Sequence, residues 1–239
     1  MYIKILEKTY NNEVINESLR VSKVKFSHLF IGVKGTAVRA TECPKIIVNA
    51  FVSGEGARSR NIITNAPLSV LVDYSDILKG LGWTSTTHGY TALPLGSLDL
   101  SKIDLILELK GLSAFAANDL TLIVFAVRLD DNMPILEYQY RSVPVDGITI
   151  PNVLSVYDVN VTDGIDNNNV STLTFDKGDN MNVAHKAAFG MCQALSGLET
   201  ANTWGLLHMD KDMEFGRRIK FQPTTAFNAF IVQYSSIVN

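Results

Sequence analysis

This chain is short of cysteine, of long apolar runs and of clustered positive charge, and each scarcity excludes something. Two cysteines among 239 residues, Cys43 and Cys192, make neither a disulfide framework nor a zinc-binding spacing, and they fit intracellular assembly. No apolar stretch approaches the roughly 20 residues that a membrane-spanning helix needs. The opening MYIKILEKTYNNEV has charges running through its apolar part, so it does not read as a signal peptide. No basic cluster opens the chain: Lys4 and Lys8 are the cations of the first ten residues, too few to neutralise a run of nucleic-acid phosphates. The net charge of −3 argues against a dedicated nucleic-acid binder. Residues 1–60 hold ten Lys or Arg against five Asp or Glu, a net of +5, and the remainder has a net of −8. The basic excess is spread out, as on a solvated strand-rich face.

Catalytic and metal motifs are equally scarce. The four histidines, His28, His88, His185 and His208, stand at no metal-ligand spacing, and there is no H-E-x-x-H, CxxC, G-x-S-x-G or P-loop. Each histidine reads as a surface or satisfied core residue. Cys43, before Pro44, has no evident base, and Cys192 falls on an apolar stripe where it packs. The acidic stretch Asp158, Asp163, Asp166, Asp176 and Asp179, with Asn167 to Asn169, has oxygen donors suited to a hard cation but lacks EF-hand spacing. Its plainer reading is a solvated turn. Trp83, Trp204, Tyr90 and Tyr157 suit sugar stacking, or more simply a core. The sequence therefore assigns no catalytic, cofactor-binding or metal residue, and the expectation is a protein without enzymatic activity or cofactor.

What the chain does have is strands. Hydrophobic residues make up 46% and charged residues 19%, enough for a sizeable core. The organising stretch is Leu95 to Asp131. Ile103 to Lys110 is apolar with charge at its ends, and Leu120 to Val127 (LTLIVFAV) is nearly continuous apolar; both are rich in strand-favouring residues. A similar pair closes the chain, Arg217 to Phe221 and Phe227 to Tyr234. Further strands are expected over Tyr2–Leu6, Val14–Val21, Val24–Val33, Lys45–Ser53, Asn61–Thr64, Leu68–Tyr74, Ile135–Val143, Gly147–Ile150, Val153–Val161, Val170–Phe175 and Leu206–Met209. Trp83 to Tyr90 reads as loop.

Two helices are expected. One is short, beginning near Ser75 and stopped by Gly82. The other covers Asp179 to Gly197, with Ala184, Ala187, Ala188, Met191, Cys192 and Leu195 on one face. About fourteen strands without βαβ alternation indicate antiparallel sandwiches. Each helix precedes a closing strand pair, which predicts two tandem jelly-roll β-sandwiches, each with a helix in a late connection. The break at Asp130-Asp131-Asn132-Met133-Pro134 places the domains at 1–132 and 133–239.

Several phrases carry a family resemblance: LPLGSLDLSKIDLILELKG with LTLIVFAVRLDD in the first half, and AHKAAFGMCQALSG, ETANTWGLLHMDKD and RRIKFQPTTAFNAFIVQY in the second. The arrangement resembles the double jelly-roll major capsid proteins of tailless icosahedral viruses, the group that includes membrane-containing bacteriophages. The resemblance implies a structural coat subunit that forms homotrimers of pseudo-hexagonal outline and tiles an icosahedral shell. Its partners would be further copies of itself, other capsid proteins such as a vertex protein, and an internal viral membrane, with no sequence-specific nucleic acid. Its place would be the virion, assembled in a host cytoplasm. The competing expectation is a carbohydrate- or receptor-binding sandwich of spike or lectin type. A cupin-like enzyme is weakest, because such sites need clustered histidines.

Overall fold

The computed structural model describes residues 2–35, 43–54, 57–79, 82–100, 103–112, 120–129, 133–159, 169–176, 178–185, 205–208 and 218–235. The chain divides into two compact units, Met1–Glu137 and Tyr138–Asn239. Residues 133–137 are tied to the first unit, which sets the division where it is. Ser97 N donates to Met133 O at 3.0 Å, Met133 N donates to Ser97 Oγ at 2.9 Å, and Arg60 Nε donates to Glu137 Oε1 at 2.6 Å.

The first unit contains β1 (Tyr2–Tyr10), β2 (Asn16–Val21), β3 (Lys25–Gly35), β4 (Ile46–Gly54), β5 (Ala57–Pro67), α1 (Leu68–Lys79), β6 (Trp83–Ser85), β7 (His88–Asp99), β8 (Asp104–Gly111) and β9 (Leu120–Val127). One sheet runs β1-β9-β3-β7-β6, and β2, β8, β4 and β5 pair in that order. The second unit holds β10 (Leu136–Val143, which straddles the division), β11 (Ile148–Pro151), β12 (Val153–Asp158), β13 (Val170–Phe175), β14 (Asn180–Ala184), β15 (Gly205–His208), β16 (Arg218–Pro223) and β17 (Phe227–Tyr234). Here β10, β17, β12 and β15 pair in order, opposite the sheet β11-β16-β13-β14. With the three-residue β6 set aside, each unit contributes eight described strands, ordered 1-8-3-6 and 2-7-4-5. This is the jelly roll, present twice.

The closing strands of each unit are neighbours in sequence but not in a sheet. β8 pairs with β2 and β4, whereas β9 pairs with β1 and β3. Their composition reflects this. β8 buries Leu105, Leu107 and Leu109 and turns Asp104 and Glu108 outward. β9 buries Leu120, Leu122, Val124 and Ala126, yet its other face, with Ile123, Phe125 and Val127, is apolar as well. In the second unit, Val143, Val156, Leu207, Phe227, Ala229 and Ile231 of one sheet meet Ile150, Leu173, Val183, Ile219 and Phe221 of the other in one core.

Three expectations are corrected. Leu68 to Tyr74 is helical, the first half of α1, and not a strand. Leu68, Val70, Leu71, Val72, Tyr74, Ser75 and Ile77 are all buried, so α1 is covered over most of its circumference, and only a narrow polar stripe of Ser69, Asp73 and Asp76, at i, i+4 and i+7, marks it as a helix. It still occupies the expected late connection, between the fifth strand and β7. Trp83 to Tyr90 is not loop but the hairpin of β6 and β7, with His88, Gly89 and Tyr90 in register with Lys34, Val33 and Gly32 of β3. Asn180 to Ala184 is strand β14 rather than the start of a helix, and Ala184 is exposed. Pairing with β13, Val170 to Ala184 and Thr174 to Asn180, sets this stretch as strand. The rest of that expected helix, 186–197, lies outside the described residues, as do Ala187, Ala188, Met191, Cys192 and Leu195.

Candidate functional site

The jelly-roll topology of the second unit brings together three side chains distant in sequence. Asp158 ends β12 in one sheet, Ser171 sits on β13 in the other, and His185 follows β14. His185 Nδ1 lies 2.7 Å from Asp158 Oδ2, and His185 Nε2 lies 2.6 Å from Ser171 Oγ. In a neutral imidazole beside a carboxylate, Nδ1–H donates to Asp158 and Nε2 accepts the Ser171 hydroxyl proton. The ring stands edge-on to Phe227 with centroids 4.6 Å apart, and His185 N donates to Asn169 O at 2.9 Å. Asn169 is fixed in turn: its Oδ1 accepts from Thr224 Oγ1 at 2.7 Å and Thr225 N at 3.0 Å, and its Nδ2 donates to Thr225 O at 2.8 Å.

The order Ser–His–Asp is that of a hydrolytic triad, which is recognised by geometry and roles. Access decides what this one can do. Ser171 is 0% exposed, Asp158 2% and His185 6%. The adjoining cavity, lined by Val156, Val183, Leu207, Phe221 and Phe227 with the three polar residues, has a volume of about 10 Å³, room for one water. An acyl substrate does not fit there. In the folded chain the arrangement works as a polar tie between the two sheets of one sandwich.

The other residues singled out by sequence are dispersed. His28 is buried on β3 with Nδ1 2.9 Å from Ser27 Oγ, and His88 is exposed with Nδ1 2.7 Å from Thr87 Oγ1. His208 ends β15. Cys43 is buried in a single 3-10 turn, Cys43–Lys45. Of the acidic stretch, Asp158 is bonded to His185, Asp176 and Asp179 are exposed, and Asp163, Asp166, Asn167 and Asn168 lie outside the described residues. Among the described residues no three His, Cys, Asp or Glu side chains gather as a metal site. Trp83 donates from Nε1 to Asp73 Oδ1 at 2.6 Å, Tyr90 is stacked on Phe30, Tyr157 is buried, and Trp204 lies outside the described residues. Trp83 and Tyr90 are thus engaged with protein groups instead of forming a flat sugar platform. Sequence reading named Asp158 and His185 separately and passed over Ser171, because no local motif links them.

A second feature is the outward face of the sheet β1-β9-β3-β7. A row of rings crosses it: Tyr2 against Phe125 with centroids 5.7 Å apart, Phe125 against Phe30 at 6.1 Å, and Phe30 against Tyr90 at 5.5 Å. The second unit has its counterpart. Tyr138 of β10 stacks on Phe230 of β17 at 5.8 Å, and Phe230 is in register with Tyr157 of β12.

No protein-family model matches the chain, and no curated protein matches its sequence. Solved structures do. The crystal structure of the STIV major capsid protein matches with a TM-score of 0.59 and 12% identity, over 98% of this chain and 95% of that one. The same fold is met in the atomic structure of Sulfolobus turreted icosahedral virus, with a TM-score of 0.56, 11% identity and coverage of 98% and 89%. The major capsid protein P2 of bacteriophage PM2 also matches, with a TM-score of 0.48, 11% identity and coverage of 97% and 98%. Nearly end to end, this chain shares the double jelly-roll fold of the STIV major capsid protein.

Proposed function

We propose that the chain is a structural subunit of a viral capsid, a coat protein whose copies associate as homotrimers and tile an icosahedral shell. The observation that carries the reading is the jelly roll repeated with the same strand order in one chain, matched over nearly the full length of a major capsid protein. Two jelly rolls per subunit, which we assign to 1–132 and 133–239, give six per trimer. A six-fold outline packs a surface without gaps, and closed cyclic symmetry repeats one pair of patches around the ring. The subunit's partners are further copies of itself, a vertex protein and an internal viral membrane, and its place is the virion, after assembly in a host cytoplasm.

A coat subunit of this kind carries no enzymatic role and reads no nucleic-acid sequence. The sealed Ser171 supports the first point, and the net charge of −3, with the basic residues not gathered into an arm, supports the second. The test is the mass of the purified protein in solution, together with electron microscopy of concentrated samples. Trimers or larger closed particles are expected, with interfaces on the order of 2,000 Å² or more. A stable monomer at high concentration overturns the reading in favour of a binding module.

A further inference from the structure

We infer that an irregularity in the first unit, a bulge of β7 around Gly96, is a catch that fastens residues 133–137 to that unit as a strap. The chain then leaves the first unit along a held path and not on a free tether. The inference is independent of the capsid reading.

The bulge is visible in the register. Phe26 of β3 faces Leu98 of β7 and His28 faces Pro94, so β3 advances two residues where β7 advances four. Surplus residues leave the ladder, and the backbone groups of a bulged strand are re-aimed. Gly96 lies in that stretch with φ +91°, the left-handed region that suits glycine. Its neighbour Ser97 clasps one residue twice: Ser97 N donates to Met133 O at 3.0 Å, and Ser97 Oγ accepts from Met133 N at 2.9 Å. On β3, the residue opposite the surplus is Ser27, and its Oγ accepts from Leu129 N at 3.0 Å, just past the end of β9. One bulge therefore grips the departing chain at two places, Leu129 and Met133.

Beyond the clasp the fit is steric. Pro134 has no N–H to be satisfied, and it biases Met133 toward an extended conformation. The strap backbone lies directly against Gly96. A Cβ there would stand 2.4 Å from Pro134 O, 2.4 Å from Ile135 Cα and 2.7 Å from Ile135 N. All three are backbone atoms, so no rotamer change relieves the collision; a side chain at position 96 must displace the strap or β7. At the far end Arg60 of β5 donates from Nε to Glu137 Oε1 at 2.6 Å, and the Glu137 side chain is 11% exposed, shielded from the water that weakens surface ion pairs. Composition separates this segment from a flexible connector, which is exposed and rich in glycine or serine. Met133 to Glu137 has neither residue and buries Ile135, Leu136 and Glu137.

The experiment follows hydrogen exchange of the full chain, residue by residue, in wild type, Ser97→Ala and Gly96→Ala, with thermolysin digestion of the same proteins read by mass spectrometry. In wild type the Ser97 and Met133 amides are expected to exchange at least about a hundredfold more slowly than in an unstructured peptide. Ser97→Ala is expected to speed exchange by at least about tenfold at Met133, whose acceptor is gone, and also at position 97, which keeps its own acceptor, because the strap lifts as a unit. Gly96→Ala is expected to speed cleavage before Ile135 by at least about tenfold while the β17 amides keep their wild-type rates. Wild-type amides at 97 and 133 that exchange like unstructured peptide overturn the inference, and so does Gly96→Ala with wild-type exchange and cleavage. Should Gly96→Ala fail to fold, Ser97→Ala decides: faster exchange confined to Met133 would mean two isolated bonds and no strap.

Discussion

Phe30 of β3 and Tyr90 of β7 stack at 24° with ring centroids 5.5 Å apart, on the face of their sheet that points away from the core. Cross-strand aromatic pairs contribute to sheet stability wherever they lie, on the order of 0.5–1 kcal/mol beyond area burial. What sets this pair apart is that it continues through Phe125 to Tyr2, at the sheet margin. Core demand accounts for Leu29, Ile31 and Val33, which are buried beneath it, but not for the outward aromatics.

The two faces of β8 give a test that separates core from surface. Leu107 is fully buried and Ile106 half-buried on the opposite side. Leu107→Ala is expected to destabilise by about 2–5 kcal/mol through lost burial and an unfilled cavity. Ile106→Thr is expected to cost under about 1 kcal/mol. Urea unfolding of both variants at equal protein concentration measures the difference; equal losses refute the assigned register.

The buried Asp158–His185–Ser171 chain predicts a graded response. His185→Ala leaves a carboxylate and a hydroxyl without their imidazole partner at a site with room for one water, a loss on the order of 3 kcal/mol. Ser171→Ala removes one bond and costs about 1 kcal/mol. Because the three act as one network, the double variant is expected to lose less than the sum. Denaturant midpoints of the three variants check the order, and additive losses refute the coupling. A fluorophosphonate probe is expected to leave native Ser171 unlabelled, and its stoichiometric labelling would overturn the tie as purely structural.

Strands whose own residues carry the signal were legible. β9, β13 and β17 run over the residues expected from composition and alternation alone, because each must present an apolar face every second residue. α1 was half missed. Val70, Leu71 and Val72 look like strand residues, and because the helix is so widely buried its period shows only in the narrow polar stripe of Ser69, Asp73 and Asp76. β14 was misread for the opposite reason: Asn180–Ala184 has no decisive pattern, and its state is set by pairing with β13. The polar tie was invisible, since Asp158, Ser171 and His185 meet only once two sheets have formed. The aromatic rows were present as letters, but whether a ring points inward or outward depends on strand register.

Acid stability offers a third prediction. Glu17 Oε1 accepts hydrogen bonds from Lys8 Nζ at 2.8 Å and Tyr10 Oη at 3.0 Å. The Lys8 bond first, and the Tyr10 bond with it, hold the Glu17 carboxyl below its ordinary value against the opposing effect of burial. A carboxyl lowered by folding contributes stability that is present above its unfolded value and lost as pH falls through the folded one. Part of the acid destabilisation below about pH 4.5 therefore belongs to this group. Lys8 is largely in solvent, so the contribution is under about 1 kcal/mol. Glu17→Gln is expected to be less stable than wild type at neutral pH and to approach it in acid. A constant gap between the two across the titration counts against the assignment.

Two glycines separate backbone strain from steric collision. Gly147 closes the turn between β10 and β11, where its N donates to Pro144 O at 2.9 Å, and its φ is +88°. Gly178 has φ +82° in the turn before β14, where its N donates to Phe175 O at 2.9 Å. Alanine at either site must hold the left-handed region, at a cost of about 1 kcal/mol. Only one site adds a clash: a Cβ on Gly147 would lie 2.3 Å from Phe221 O, whereas a Cβ on Gly178 meets nothing within 4 Å. The Phe221 carbonyl belongs to β16, in register with Ile148, so it cannot retreat without loosening the β11–β16 pairing. Gly147→Ala is therefore expected to lose more stability than Gly178→Ala, by at least about 1 kcal/mol. Thermal and urea unfolding of the two variants side by side measures that difference, and equal losses would show that the turn at Gly147 has room the packing denies.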